Sequence, residues 1–290
     1  MRAIMVPVAN RPECTIALNA SFQLAKSLKA DVIGVHIRPH RDTSKELTGG
    51  NLLTQLFSEG SPWENIDEAA AQSASDDAKS LFTKIAEHHG YPLQSGPASD
   101  LSPVANWHEK VGKVHFIMPI IGPASDMLVV SRPNTANNGG KKATAFLTQA
   151  LLHTQRPVLV LPQAQEQSAY KHVAIAWNRS AEGARALHAA MPVLRAAEKV
   201  TFITAGQSTH IGPSANDMIG FLAHHGIAAD RVAERQTDSS EKLAQLYHDA
   251  GADLLVMGAY SRPRLAEMVF GGATRHMLSD EDIPVLMMHS

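Results

Sequence analysis

The sequence predicts an α/β protein of two tandem, doubly wound domains, each a five-stranded parallel sheet covered by helices. Three observations lead there: the length, a repeat within the chain, and the alternation of strand and helix patterns in each copy. At 290 residues the chain is too long for one core of roughly 100–150 residues and sufficient for two.

Composition narrows the function classes before any motif is considered. Apolar residues make up 44% and charged residues 19% of the chain, with a formal net charge of −2. That is enough apolar surface for packed cores, and it lacks the basic surplus of a nucleic-acid partner. The opening MRAIMVPVAN lacks the apolar core and small-residue cleavage site of a secretory signal. No run reaches the ~18 apolar residues that a membrane span requires. The single cysteine, Cys14, cannot form an internal disulfide and fits a reducing compartment. The expectation is a soluble, cytoplasmic protein without nucleic-acid or membrane partners.

The repeat fixes the domain organisation. Asp126 opens DMLVV and Asp253 opens DLLVM, and each leads through a loop and a helical stretch to RPVLVL or IPVLMM. The offset is constant, since 253 − 126 = 127 and, between the prolines, 284 − 157 = 127. The starts correspond too: AIMVPVAN from Ala3 and HVAIAWN from His172 are Val/Ile-containing strand candidates that enter a helix. In the first helix of each copy, Leu18, Phe22, Ala25 and Leu28 repeat as Leu187, Met191, Leu194 and Ala197, one apolar stripe at helical period. The polar stretch QAQEQSA suits a linker, which places domain 1 at 1–162, the linker at 163–169 and domain 2 at 170–290.

Domain 2 reads element by element. Strand His172 to Trp177 precedes a helix from about Ser180, whose hydroxyl can cap free amides and whose Glu182 suits the positive helix end. Strand Val200 to Thr204 follows, then a Gly/Ser/Pro-rich loop and a helix around Ala215 to His225 ended by Gly226. Next come a strand near Ala228 to Glu234, a helix from Ser239 to Ala250 ended by Gly251, and strand Asp253 to Met257. A short helix near Ala273 to Leu278 and a last strand, Pro284 to Met288, complete it. Such alternation means right-handed βαβ crossovers and a parallel sheet covered on both faces.

Two segments of domain 1 need separate treatment. Val114 to Ile121, VHFIMPII, looks like a buried strand, yet the repeat aligns it with Glu241 to His248, a helix pattern. The register predicts helix. Pro39 to Trp63 has no counterpart in domain 2 and is read as a surface excursion with one short helix, or as a flap or assembly surface.

The loop after strand Asp253 to Met257 is the main site candidate. Gly258 stands at the strand end, and Gly271 and Gly272 precede a short helix. Glycines there let backbone amides approach an anion while the helix terminus adds partial positive charge. In open parallel sheets ligands bind beyond the carboxyl ends of strands where strand order reverses, so this loop would meet the turn Trp177 to Ser180. The plain alternative is that the glycines permit tight turns and close packing.

These residues, with AIAWNRSAEGARALHAA, resemble the universal stress protein family. Its nucleotide-binding members carry Gly, two residues, Gly, nine residues, then Gly followed by Ser or Thr; here Gly258, two residues, Ser261, nine residues, Gly271 and Gly272 keep that spacing. Ser261 replaces the second glycine and Gly272 the hydroxyl residue, with Thr274 as an alternative hydroxyl. The family's ribose-holding aspartate at the end of strand one corresponds to Asn178 in domain 2 and Ala9 in domain 1.

The resemblance implies an adenine nucleotide alpha hydrolase-like fold, with the two domains paired through their last strands as a pseudo-dimer within one chain. It also implies a stress-response module whose domain 2 binds ATP or AMP, with Mg²⁺ only alongside ATP, at Ala176, Asn178, Gly258, Ser261, Gly271, Gly272, Ala273 and Thr274. Domain 1 is expected to have lost its pocket, because Ser131, Thr144 and Ala145 stand at the register of the glycines. Pairing also covers an apolar sheet edge, and a homodimer of the whole chain stays open.

Other constellations carry less. The pairs His88-His89 and His224-His225 each close a helix before a glycine, where partly protonated rings suit the negative helix end. Adjacent helical residues point about 100° apart, which disfavours a shared metal. No nucleophile elbow surrounds any serine, and Cys14 has no base placed beside it. His210 reads as a solvated loop residue and Trp177 as core. Two rival functions stay open: an ATP-hydrolysing or adenylyl-transferring enzyme using Ser261, Arg262, Arg264 and Thr274, and a nucleotide-independent scaffold that docks partners on Pro39 to Trp63.

Overall fold

A computed structural model of the chain describes residues 1–38, 68–96, 102–132, 140–163, 170–206, 208, 210–234, 240–259, 277 and 282–289. The first half runs β1 (Ala3–Pro7), α1 (Pro12–Leu28), β2 (Asp31–Arg38), α2 (Glu68–His88), β3 (Ala105–Val111), α3 (Val114–Ile121), β4 (Met127–Ser131), α4 (Gly140–His153) and β5 (Val158–Leu161). The second runs β6 (His172–Ala176), α5 (Ala181–Ala196), β7 (Lys199–Ala205), α6 (Ala215–His224), β8 (Asp230–Glu234), α7 (Ser240–Ala250), β9 (Leu254–Gly258) and β10 (Val285–Met288). The excursion 39–63, most of the linker and the helix expected near Ala273 lie outside the described residues, Met277 excepted.

The strands form one ten-stranded sheet in the order β3-β2-β1-β4-β5-β10-β9-β6-β7-β8. Each half therefore has the doubly wound order, with the reversal at β1/β4 and again at β6/β9. Neighbours are parallel except at the seam, where β5 and β10 pair antiparallel with Leu159 opposite Leu286. The last strands thus cover each other's edges, and the α/β class and edge-to-edge pairing read from the sequence hold.

Strands buried on both faces are apolar along their length, as β5, β10 and all of β4 but its last residue, Ser131, are. One face of the sheet is packed by α1, α2, α5 and α6, through Leu18, Phe22, Phe82, Leu187 and Leu222. The other is packed by α3, α4 and α7, through Met118, Leu147, Leu243 and Tyr247. Segment Val114–Ile121 is helical despite its strand-like composition. It sits at a crossover between parallel strands, and only Met118 of its residues is buried, with Phe116 and Ile120 left 64% and 73% exposed.

The matched aspartates have matched roles. Asp126 accepts hydrogen bonds from the backbone amides of Arg2 and Ala3, and Asp253 accepts from Lys171 and His172 at 2.8 and 3.0 Å. Each carboxylate tethers the start of the first strand in its half to the start of the fourth. One contact has no twin. The Arg132 side chain, 3% exposed, donates to the carbonyls of Met277 and Ile283 across the seam.

Candidate functional site

At the carboxyl edge of the second half, β6 ends at Ala176 and the chain turns through Trp177, Asn178 and Arg179 into α5. Ser180 caps α5, its hydroxyl accepting from the Gly183 amide at 3.0 Å. The Asn178 Oδ1 accepts from the Ser180 amide at 3.1 Å, which closes the turn. Arg179 occupies the left-handed region at φ 64°, and its Nε donates to the Gly212 carbonyl at 2.8 Å. The Ser208 hydroxyl donates to the Asn178 carbonyl. The loop after β7, which also carries His210, is thereby fastened to the turn after β6.

Gly258 joins this turn to the end of β9. A Cβ at Gly258 would lie 2.5 Å from the Gly183 nitrogen and 2.7 Å from Glu182 atoms. Only glycine lets the first turn of α5 rest on the strand end, so close packing is one role of Gly258. A Cβ at Gly183 would stand 3.3 Å from both Asn178 Oδ1 and Ser180 Oγ. Two glycines thus bring the β6–α5 turn and the β9 end together. Asn178 is exposed, with its Oδ1 engaged in the turn and its amide Nδ2 as the remaining donor group. Trp177 is buried as expected for core, edge-on to Phe202 at 6.0 Å, with Nε1 donating to the Pro213 carbonyl.

The corresponding edge of the first half is built differently. Ser131, at the register of Gly258, donates its hydroxyl to the Glu13 carbonyl. Cys14 stands where α5 has Gly183; burial pushes its thiol pKa up, against a hydrogen bond from the Ala9 backbone that acts the other way. The thiol therefore reaches the position in the turn that matches Asn178. Arg11, at the register of Ser180, makes no side-chain cap.

Of the residues expected at the site, the structure brings Ala176, Asn178 and Gly258 to one edge. Ser261, Gly271, Gly272, Ala273 and Thr274 lie outside the described residues, as do Arg262 and Arg264. Sequence reasoning missed Gly183 and Ser208. The glycine in the first turn of α5 was the available signal for one; Ser208 gave none. Among the described residues, no three His, Cys, Asp or Glu side chains gather as a metal site. At His89, burial above all, then the charges of Lys26 and His88, lower the ring's pKa.

Residues 156–289 match the model of the universal stress protein family. Across 99% of this chain, the fold is similar to a universal stress protein from Archaeoglobus fulgidus DSM 4304, with TM-score 0.70, 13% identity and 96% of that chain covered. A functionally unknown protein from Pseudomonas aeruginosa PAO1 is similar over 100% of this chain and 92% of its own, with TM-score 0.55 and 15% identity. By sequence, no curated protein matches the chain. No helix among the described residues is long and apolar enough to cross a membrane.

Proposed function

We propose that the chain is a cytoplasmic tandem universal stress protein with domains at 1–162 and 170–290, in which only the second domain binds an adenine nucleotide. The observation that carries this reading is the convergence of the β6–α5 turn and the β9 end through Gly183 and Gly258, at the point of strand reversal where such sheets take ligands. The family match over 156–289 supports it.

In this reading Asn178 Nδ2 donates to a ribose hydroxyl and the strand end at Ala176 borders the base. The backbone amides of the Gly258, Ser261, Gly271, Gly272 and Ala273 stretch, with the Thr274 hydroxyl, receive the phosphates. Mg²⁺ would accompany ATP and neutralise its phosphates. Domain 1, its turn filled by Cys14 and Ser131, contributes the seam and no pocket. Binding, without turnover, is the regulatory output.

Calorimetric titration with ATP and AMP tests this. One site per chain is expected, weakened about tenfold by Asn178→Ala and strengthened by Asn178→Asp. Absence of heat and of any thermal shift at millimolar nucleotide would favour the scaffold. Steady phosphate release lost in Arg262→Ala would favour the enzyme.

A further inference from the structure

The two ends of the glycine stretch in the second half are held by different halves of the molecule. At its entry Ala259, beside Gly258, is buried, and its amide donates to the Met288 carbonyl of β10 at 2.9 Å. At its exit Met277, shortly past Thr274, is buried, and its carbonyl accepts from Arg132 Nη2 at 2.7 Å. The same nitrogen donates to the Ile283 carbonyl. One guanidinium of the first half thus joins the end of the stretch to the segment that enters β10, through charge-assisted bonds that are stronger than those of a neutral donor.

The first half closes the same place with residues of its own. Since 277 − 150 = 127 and 283 − 156 = 127, Met277 corresponds to Ala150 and Ile283 to Arg156. The Ala150 carbonyl accepts from the Thr154 hydroxyl at 2.6 Å, and Arg156 donates to the Pro123 carbonyl at 2.7 Å. Neither contact leaves the half.

The second half lacks both donors. Thr154 corresponds to Glu281, by 281 − 154 = 127, and an ionised carboxylate only accepts. The backbone around Arg132 and Ala259 is matched, because the Arg132 amide donates to the Leu161 carbonyl as the Ala259 amide does to Met288. Only the side chains differ, and the arginine of the first half supplies the second half with what Thr154 supplies at home.

On the nucleotide reading of the stretch, on which this rests, we propose that Arg132 is a positioning residue for the site of the second half. It fixes the exit of 258–277, so that nucleotide affinity there depends on the first half. Without the clasp the stretch spends part of its time in arrangements that bind nothing, and apparent affinity falls by that fraction.

Calorimetric titration of the full chain with AMP, alongside urea unfolding of each variant, tests it. Arg132→Met should weaken AMP about tenfold, and Arg132→Lys, which keeps one charged donor, about threefold. Adding Glu281→Thr, the donor that the first half uses, should return either variant to within about twofold of wild type. Asp126→Asn, which loosens the β1 tether instead, should leave AMP affinity unchanged. Unchanged affinity in Arg132→Met overturns the proposal and leaves the nucleotide reading standing. So does a loss that Asp126→Asn reproduces and Glu281→Thr does not repair. A wild-type chain that takes up no AMP overturns both. Should Arg132→Met not fold, Arg132→Lys decides by the same criteria.

Discussion

The two carboxyl edges of this sheet lie at matched places in the two halves and differ at four matched positions. In the second half Asn178, Ser180, Gly183 and Gly258 form a capped turn pressed against a strand end by two glycines. In the first half Ala9, Arg11, Cys14 and Ser131 hold those places, and side chains fill what glycine leaves to backbone. The tethering aspartates, Asp126 and Asp253, are unchanged between them. The two halves agree in what holds the sheet together and differ in what faces the edge.

The largest effect is expected just past that edge, where Arg132 matches Ala259 by the offset 259 − 132 = 127. Arg132→Met strips the Met277 and Ile283 carbonyls of a charged donor across the seam and should cost about 4 kcal/mol in urea unfolding. Gly258→Ala should cost about 2 kcal/mol, because the added methyl meets α5 backbone that cannot move aside. The matched change Ser131→Gly meets no such obstacle, and its loss, measured the same way, should stay near 1 kcal/mol.

Smaller effects sharpen the comparison at the helix starts. Ser180→Ala removes the α5 cap and should lower stability by about 1 kcal/mol, whereas Arg11→Ser adds a cap that α1 lacks and should raise it by about 0.5 kcal/mol. Finally, Cys14 should be alkylated slowly in the native chain at pH 8 and rapidly once unfolded, since burial pushes its thiol pKa up and leaves less thiolate to react. Equal rates in both states would mean that the thiol does not fill the turn.

Much of the fold was legible because the two halves repeat, the fourth and fifth strands of each at one offset of 127. Even Val114–Ile121, whose composition suggests a strand, was read correctly as a helix from its register with α7. The Ser180 cap was legible from a local rule. Local patterns did not reveal Arg132, since nothing nearby in sequence announces carbonyls 145 and 151 residues away. Gly258 was read both as the opening of an anion loop and as a place of close packing, and which helix it packs against, α5, depends on how that helix docks.

The most direct test is a crystal structure of the full chain grown with AMP. Nucleotide density beside Asn178 and Gly258, with none beside Ala9 and Ser131, is the predicted result. Density at both edges, or at the first alone, would contradict the account.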